Sequence, residues 1–345
     1  MIVLLSIYYL QNIDFTRRCS TIVTVRNFFR DRLNKNDLIA APMAGITSAP
    51  FRLFLREFTD GIAYTEMVSV EGVKRRNPRS MECLDIMDGD RPVAAQFFGG
   101  NPDSYPEAVA AAEQYSNPDA YDINMGCPVK KVIKAGGGCA LLADLSKVAQ
   151  ITRAMRSCTK QPFSLKIRLG WDDHKPVYKE VLDIAEKEGA DALIVHARTR
   201  AQMFGGAVNY DALAELASSS IPIVGNGDVT GHESYLRMKE TGVSGVMIGR
   251  AMMRSPWIFK ALREGKETQG YYPPNELRAL LLKLYALLLS YAAERPHKKE
   301  HYLNVIKKFA VWFSKGLNDA AKFRVEVYKN TTEKRFLNLI DEYFL

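Results

Sequence analysis

Short apolar segments alternate with longer amphipathic segments from residue 36 to residue 249, and this alternation is the feature that most restricts the fold. Brief apolar runs are typical of buried strands, and the longer segments have the apolar spacing of helices. The pattern predicts strands at Leu38–Ala41, Ile62–Thr65, Val93–Phe97, Tyr121–Asn124, Ser164–Arg168, Leu193–His196, Ile221–Gly225 and Gly245–Gly249. It predicts helices at Pro50–Phe58, Tyr105–Tyr115, Ser146–Ser157, Tyr178–Glu188, Tyr210–Ser218 and Gly231–Thr241.

Eight strands with helices between them favour an α/β fold, the closed parallel TIM (β/α)8 barrel. An open, doubly wound sheet is the alternative. Such a sheet usually carries a Gly-x-Gly-x-x-Gly turn after an early strand, and this sequence contains none. We therefore expect a barrel whose functional loops follow the carboxyl ends of its strands.

Polar and glycine residues follow the predicted strands at the end where a barrel builds its active site. These positions are Pro42, Met43, Ala44, Gln96, Asn124, Cys127, Lys166, Arg168, His196, Arg198, Asn226, Gly227, Asp228, Gly249 and Arg250. Lys166 and Arg168 are two residues apart on one strand, so both side chains face the same side of it. With His196 and Arg198 from the next strand they form a predicted cationic cluster. Cations that face into a barrel are costly unless an anion lies beside them, which indicates an anion-binding pocket.

Glycine-bearing loops follow the seventh and eighth predicted strands, at Gly225–Asp228 and Gly249–Arg250. In this fold, free backbone N–H groups in these two loops form the usual phosphate site. A phosphate there, the cations, and an apolar turn after the first strand together suit a flat ligand with a phosphate tail. FMN fits this description, with Lys166 and Gln96 at the polar edge of its ring. An anionic sugar phosphate fits it as well.

A single thiol stands at the end of the fourth predicted strand, in the stretch Asp122–Pro128. Pro128 lacks a backbone donor and restricts Cys127, and Gly126 permits backbone angles that other residues avoid. We therefore expect the thiol at a fixed corner where the strand ends. A lone cysteine is more often a small buried hydrophobe than a catalytic group, so the thiol by itself does not define a site.

Together these segments resemble the tRNA-dihydrouridine synthase family, flavoproteins that reduce uridine in tRNA to 5,6-dihydrouridine. The matching segments are Ala41–Thr47, Gln96–Gly99, Asn124–Pro128, Lys166–Arg168, His196–Arg200, Gly225–Asp228 and Ile248–Arg250. They occur in the family's order over residues 36–260, and the Asn-x-Gly-Cys-Pro stretch is the most specific of them. The N-terminal residues depart from the family pattern, as does Ser48, where an acidic residue is common.

The resemblance implies a role for each of these residues. Pro42, Met43 and Ala44 would line the flavin, Gln96 and Lys166 would bind its ring, and His196, Asn226, Gly227, Asp228, Gly249 and Arg250 would hold its phosphate end. Asn124, Arg168 and Arg198 would lie at the target uracil, and Cys127 would donate a proton to it. NADPH or NADH would reduce the FMN, tRNA would be the macromolecular partner, and no metal is implied.

The strand–helix alternation stops near residue 256, and the remaining chain has the apolar spacing of helices. These helices are predicted at Glu276–Ala293, Tyr302–Ser314, Asp319–Lys329 and Thr332–Tyr343. The expected organisation is an atypical extension over residues 1–35, an FMN-binding barrel over 36–260 and a helical tRNA-binding domain over 261–345. Its frequent basic residues, in a chain of net charge +8, predict contact with RNA backbone. Its aromatic residues, Tyr302, Phe309, Trp312 and Phe313, are interpreted as core.

Five cysteines without a paired spacing argue against a disulfide framework and a zinc site, and they indicate a reducing, cytoplasmic compartment. No run of about twenty apolar residues is present, so we expect no membrane span. A monomer is the expected state. The sequence leaves open which uridine is reduced, whether NADPH or NADH is the donor, and the oligomeric state.

Two other functions are compatible with parts of this pattern. A flavin barrel acting on a free pyrimidine, such as dihydroorotate, would need the same pocket. It would not need a basic helical tail of about eighty-five residues, which is a domain in its own right. A barrel that binds phosphate or RNA without redox activity would need no flavin. Turnover of free uracil would favour the first function, and a colourless protein would favour the second.

Overall fold

The structure, a computed structural model, describes residues 27–295, 298–329 and 332–345. Its strands are β1 (Leu38–Ala40), β2 (Ala63–Tyr64), β3 (Val68–Ser69), β4 (Val93–Phe98), β5 (Ala120–Met125), β6 (Phe163–Arg168), β7 (Ala192–His196), β8 (Ile223–Asn226) and β9 (Gly245–Ile248). The first twelve helices are α1 (Phe28–Lys35), α2 (Ala49–Leu55), α3 (Val70–Lys74), α4 (Pro78–Glu82), α5 (Tyr105–Tyr115), α6 (Lys130–Lys134), α7 (Leu145–Cys158), α8 (Tyr178–Lys187), α9 (Tyr210–Leu216), α10 (His232–Glu240), α11 (Arg250–Arg254) and α12 (Ile258–Arg263). The tail contains α13 (Pro274–Ala293), α14 (Lys299–Phe313), α15 (Ala320–Lys329) and α16 (Glu333–Phe344). Two short 3-10 helices lie at Pro102–Ser104 and Gly138–Ala143.

The strands form one closed parallel sheet with the neighbour order β2-β1-β9-β8-β7-β6-β5-β4-β3. The cylinder closes because β2 also pairs with β4, with Ala63 opposite Val93. Further along, β3 pairs with the same strand, with Val68 opposite Phe97. Strands β2 and β3 are therefore two parts of one barrel position, interrupted at residues 65–67. The predicted eight-stranded TIM barrel is confirmed, and the interruption is the one departure in its second strand.

Alternate residues of each strand point into the barrel, and their chemistry changes from one end to the other. The layers near the amino ends are apolar and contain Ile39, Tyr64, Ala94, Ala120, Ala192, Ile194, Val224 and Met247. On β6 the inward residues are Ser164, Lys166 and Arg168, whereas Leu165 and Ile167 belong to the core between the barrel and its helices. The polar layers consequently lie at the carboxyl ends, above an apolar base.

Helix α1 covers the amino end of the barrel. Phe29 and Leu33 lie one turn apart, are buried, and belong to the same apolar cluster as the lower barrel layers. Gly245, the first residue of β9, leaves the room that Leu33 needs, because a Cβ there would lie 2.4 Å from Leu33 Cδ2. Residues 28–35, which were expected to belong to an N-terminal extension, are thus part of the barrel core. The rest of that segment, residues 1–26, lies outside the described residues, and the domain boundaries stay predictions.

The helical tail packs on the barrel through α13 and α14. The Phe51 ring of α2 stacks on Phe309 of α14, with ring centroids 4.9 Å apart. Beyond α13, Arg295 pairs with Asp85 at 3.0 Å, which joins the tail to the segment after α4. None of the described helices combines the length and the apolar composition that a membrane span requires.

The predicted helices appear within three residues of their expected bounds. Helices α3, α4, α6, α11 and α12 were not predicted, because five or six residues are too few to display a helical period. In the tail, Tyr302, Phe309 and Phe313 are buried, which confirms their interpretation as core. Trp312 is only half-buried, so that interpretation is incomplete for the fourth aromatic residue.

We expect Phe29→Ala to lower the free energy of unfolding by about 3–5 kcal/mol, because it removes a buried ring and leaves a cavity at the barrel's amino end. Asn34→Ala changes an exposed residue of the same helix and should alter stability by less than about 0.5 kcal/mol. Denaturant unfolding of the two variants measures both effects. Equal effects would contradict the conclusion that α1 belongs to the barrel core.

Candidate active site

A cavity of about 520 Å³ opens at the carboxyl ends of the barrel strands. Its volume lies within the range of about 300–1,000 Å³ typical of small-molecule sites. The predicted site residues that line it are Pro42, Met43, Ala44, Gln96, Asn124, Cys127, Lys166, Arg168, His196, Asn226, Gly227, Asp228, Gly249 and Arg250. Arg198 is the exception, since it is buried behind the cavity wall.

A chain of hydrogen bonds runs through the barrel interior below this cavity. Ser164 Oγ donates to Asp122 Oδ1 at 2.5 Å, and Gln96 Nε2 donates to Asp122 Oδ2 at 2.7 Å. Asn124 Nδ2 donates in turn to Gln96 Oε1 at 2.9 Å. An ionised carboxylate can only accept, so Asp122 fixes the Gln96 amide with its oxygen toward Asn124. Each polar group therefore sets the orientation of the next.

This hydrogen-bond chain ends at the loop that carries the thiol. Asn124 Oδ1 accepts from the backbone N–H groups of Gly126 and Cys127 at 3.1 and 2.9 Å. The Cys127 carbonyl accepts from Cys139 N at 3.1 Å. The thiol stands two residues beyond the end of β5, at the fixed corner that the sequence predicted. Burial raises the pKa of Cys127 and outweighs the nearby cations, so the thiol is protonated at neutral pH.

Gly126 suits its position for a reason that differs from the predicted one. Its backbone does not take the left-handed angles that several other glycines take. A Cβ on Gly126 would instead lie 3.2 Å from the carbonyl carbon of Ile167 on β6, a tight contact, so close approach favours the glycine. Arg168 reinforces this contact, because its Nε donates to Gly126 O at 3.1 Å while its Nη1 donates to Thr199 O at 2.8 Å. The thiol loop is thereby tied to the loop after β7.

Lys166 and His196 face the cavity from β6 and β7 in different charge states. Lys166 Nζ donates to Asn226 Oδ1 at 3.1 Å. Burial lowers the pKa of Lys166 to about 8, partly offset by Asp122, so the ammonium persists at neutral pH. Burial and the surrounding cations lower the pKa of His196 to about 2. His196 is therefore a neutral imidazole: it lies beside the cations as predicted, but the prediction that it contributes positive charge to the cluster is wrong.

Asp228 lines the cavity from the loop after β8 and bridges two arginines. Its carboxylate pairs with Arg198 and Arg250. Burial opposes ionisation of Asp228, but the two arginines outweigh it and lower the pKa. Gly227 and Asp228 have φ angles of 144° and 48°, a sharp turn of the kind that exposes backbone N–H groups to an anion. Arg198 also donates to Gly205 O at 2.9 Å, so it supports the cavity wall from behind.

The cavity-lining residues that are not among the predicted site residues include an aromatic ring and a cation, Phe204 and Arg254. Phe204 is 52% exposed, and its ring centroid lies 5.4 Å from the Arg168 guanidinium carbon and 4.9 Å from that of Arg250. The sequence feature that points to Phe204 is that it is an isolated aromatic residue in a polar loop after β7, directly before two glycines. Asp122 was also missed, although a carboxylate within a buried strand is itself unusual.

The charge and shape of the cavity fit an anionic ligand with a flat apolar part. The basic residues that line it outnumber the single carboxylate: they are Lys166, Arg168, Arg250 and Arg254, against Asp228. Arg168 is buried and Lys166 is half-buried, and cations withdrawn from water in this way favour the binding of an anion. The apolar turn Pro42–Ala44 forms the wall suited to a ring. A flavin with a phosphate tail meets both requirements.

A closed parallel barrel with a charged cavity at the carboxyl ends of its strands has the architecture of a TIM-barrel enzyme. The model of the dihydrouridine synthase (Dus) family matches residues 38–345. tRNA-dihydrouridine synthase B of Pseudomonas aeruginosa is 36% identical over 296 residues, which cover 84% of this chain and 87% of that protein. tRNA-dihydrouridine synthase B of Xanthomonas campestris is 34% identical over 317 residues, which cover 89% and 92%. The chain belongs to the dihydrouridine synthase family of oxidoreductases.

Among solved structures, the old yellow enzyme from Trypanosoma cruzi is similar with a TM-score of 0.53. The two chains are 11% identical, and the match covers 66% of this chain and 88% of the other. At this identity the likeness concerns the fold alone, and it agrees with the closed barrel described above.

Asp122→Asn tests the buried hydrogen-bond chain through its pH dependence. Burial raises the pKa of Asp122 from 3.8 to about 6, so folding favours the protonated carboxyl. This contribution to stability is complete below pH 3.8 and is lost as the pH rises through 6. The stability of the variant relative to the wild type should therefore rise by about 3 kcal/mol between about pH 4 and pH 7. Denaturant unfolding of the flavin-free proteins measures it, and a constant difference would assign Asp122 an ordinary pKa.

Proposed function

We propose that this protein reduces uridine in tRNA to 5,6-dihydrouridine, with FMN as its bound cofactor and NADPH or NADH as the reductant. The observation that carries the proposal is the place of the Cys127 thiol, which Asn124 holds at the edge of a cavity whose other walls suit a flavin. The relatives named tRNA-dihydrouridine synthase B support the choice of tRNA as substrate.

The residues that would hold FMN surround the cavity. Pro42, Met43 and Ala44 would lie against the ring, Gln96 and Lys166 would meet its pyrimidine edge, and His196, Asn226, Gly227, Asp228, Gly249 and Arg250 would hold its phosphate end. Lys166 keeps its proton at neutral pH, so it can stabilise negative charge at the pyrimidine edge. When bound and reduced, the flavin supplies a hydride to C6 of uracil.

Reduction of the C5–C6 double bond also requires a proton at C5, and the chain has to supply it. The Cys127 S–H group is suited to this step, because its raised pKa keeps it in the acid form. When the S–H bond breaks, its electron pair stays on sulfur, where Lys166 and Arg168 favour the thiolate. A proton from solvent then restores the thiol. In total, NAD(P)H, one proton and uridine give NAD(P)⁺ and dihydrouridine.

Asn124 and Arg168 would position the thiol against the uracil, since both hold the loop that carries Cys127. Their own polar groups are engaged by this loop and by Gln96. The resemblance implies that Arg198 lies at the uracil, but we expect no direct contact between the two. Arg198 binds Asp228 and supports the cavity wall, so its effect on the uracil would be indirect.

A uracil stacked inside folded RNA cannot reach a buried flavin, so the target nucleotide has to be turned out of its stack. Exposed lysines follow the thiol on α6, and further exposed basic residues lie on the tail, namely Lys308, Lys322, Arg324, Lys334 and Arg335. Such side chains bind RNA phosphates in a salt-dependent manner. We assign residues 36–260 to FMN binding and catalysis and residues 261–345 to tRNA binding, in a monomer that acts in the cytoplasm.

The proposal is tested by mapping dihydrouridine, position by position, in tRNA from cells with and without this protein. Loss of the modification at defined positions supports the proposal, and identical maps overturn it. Purified protein should be yellow and should release FMN on denaturation. Turnover of free uracil without RNA would instead favour a free-pyrimidine dehydrogenase, and a colourless protein would favour a barrel without redox activity.

Cys127→Ala should still bind FMN and should still be reduced by NADPH, because the thiol lies outside both steps. Its turnover on tRNA should fall by about 10²–10⁴-fold, the usual contribution of a positioned general acid. Cys158→Ala is the matched control, since Cys158 is a partly buried thiol at the end of α7 and does not line the cavity. Wild-type turnover of the Cys127 variant would remove this thiol from the mechanism.

A further inference from the structure

A second cavity, of about 490 Å³, lies between the end of the barrel and the helical tail. It borders the reaction cavity directly, because Thr230, Ala251 and Arg254 line both of them. Its other walls come from the segment around α12 and from the residues at the end of α14. The second cavity therefore connects the two parts of the chain beside the active site.

Aromatic side chains form much of the wall of this second cavity. The Trp257 ring lies edge-on to Tyr272 and to Phe313, with centroids 5.7 and 5.1 Å away. Trp257 and Phe313 are buried, and Trp257 Nε1 already donates to Thr268 O at 2.9 Å. Tyr272 and Trp312 are only half-buried. These two rings keep surface that a planar ligand could cover.

The second cavity is also positively charged. Among the described residues that line it there are two cations, Arg254 and Lys315, and no carboxylate. Both cations are exposed, and within the described ranges neither forms an ion pair. On α11, Arg250 and Arg254 are four residues apart and so lie on one side of the helix. Arg250 pairs with Asp228 in the reaction cavity, whereas Arg254 stands on the border of both cavities and has no such partner among the described residues.

We propose that the second cavity binds a nucleotide of the RNA substrate that lies close to the target uridine. Its base would stack on Tyr272 and Trp312, and its phosphate would lie between Arg254 and Lys315. The inference rests on the proposed function, because it takes the reduced uridine to be part of an RNA chain. A base turned into the reaction cavity brings its neighbours to the rim of that cavity. Stacking on aromatic rings holds any base without reading its sequence.

Lys315→Ala tests the phosphate contact without altering the reaction cavity. We expect the Kd for an unmodified tRNA transcript to rise several-fold. The slope of log Kd against log salt concentration should fall by about one, the effect of one lost phosphate contact. Lys187→Ala is the matched control, because Lys187 is an exposed lysine at the end of α8 and lies at the opposite face of the barrel. Equal Kd values and slopes for the two variants would overturn the proposal.

Trp312→Leu tests the stacking contact, since leucine keeps apolar volume but has no aromatic face. The KM for tRNA should rise by about tenfold, and Trp312→Phe should restore most of the loss. Trp312 also packs edge-on against Phe309 at 5.1 Å, so thermal unfolding of each variant checks the fold. A folded leucine variant with the wild-type KM would overturn the stacking role. If that variant does not fold, the phenylalanine and Lys315 variants decide the question.

The adenosine half of the reductant also has a base and phosphates. The two half-reactions, measured separately, show whether the second cavity binds this group or a nucleotide of the RNA. Anaerobic bleaching of the bound flavin by NADPH, without RNA, should proceed at the wild-type rate in the Lys315 and Trp312 variants. A defect confined to this step would assign the second cavity to the reductant and overturn the proposal. Failure of the wild type to form dihydrouridine would overturn the proposed function instead. The transcript Kd values would still decide whether the second cavity binds RNA.

Discussion

Asp122 is a fully buried carboxylate inside a closed barrel, so its hydrogen-bond donors have to come from the barrel interior. The cylinder has no free edge, so its inward polar groups can be satisfied only by one another or by the cavity above them. Ser164 and Gln96 donate to the two Asp122 oxygens, and Gln96 then presents its carbonyl to Asn124. The Asn124 oxygen is left to hold the backbone of Cys127. The position of the thiol is therefore decided inside the barrel, well below the surface loop that carries it.

The same enclosure sets the charges around the thiol. Burial removes the charge of His196, lowers the proton affinity of Lys166 and keeps the proton on Cys127. Asp122 moderates the effect on Lys166, so a buried anion below the cavity helps to retain a cation at its floor. Such an arrangement does little for stability, since buried charges are costly even when paired. It leaves positive charge and a protonated thiol on the lining of one cavity.

The features of the site that the sequence predicts are those that follow from the spacing of neighbouring residues on one strand or helix. The two-residue spacing of Lys166 and Arg168 was enough to place both in the cavity, because neighbours on one face of a strand cannot separate. The place of Arg198 behind the wall depends on its pairing with Asp228, which comes from the loop after β8. The neutral state of His196 depends on how many cations converge on it. The spacing of residues in the sequence predicts neither the place of Arg198 nor the charge of His196, since both depend on distances between segments that are remote in the chain.

Helix α11 links the chemistry of the barrel to the tail. It begins at Arg250, whose partner Asp228 also binds Arg198, and it ends at Arg254 on the border of the second cavity. It packs against α14, the helix that carries Trp312. Both arginines belong to this helix of five residues, so a displacement of the helix moves the backbone of both. The site proposed for the flavin phosphate and the surface proposed for RNA therefore share one element, so a tail that shifts on binding RNA would also shift the charge beside the cofactor.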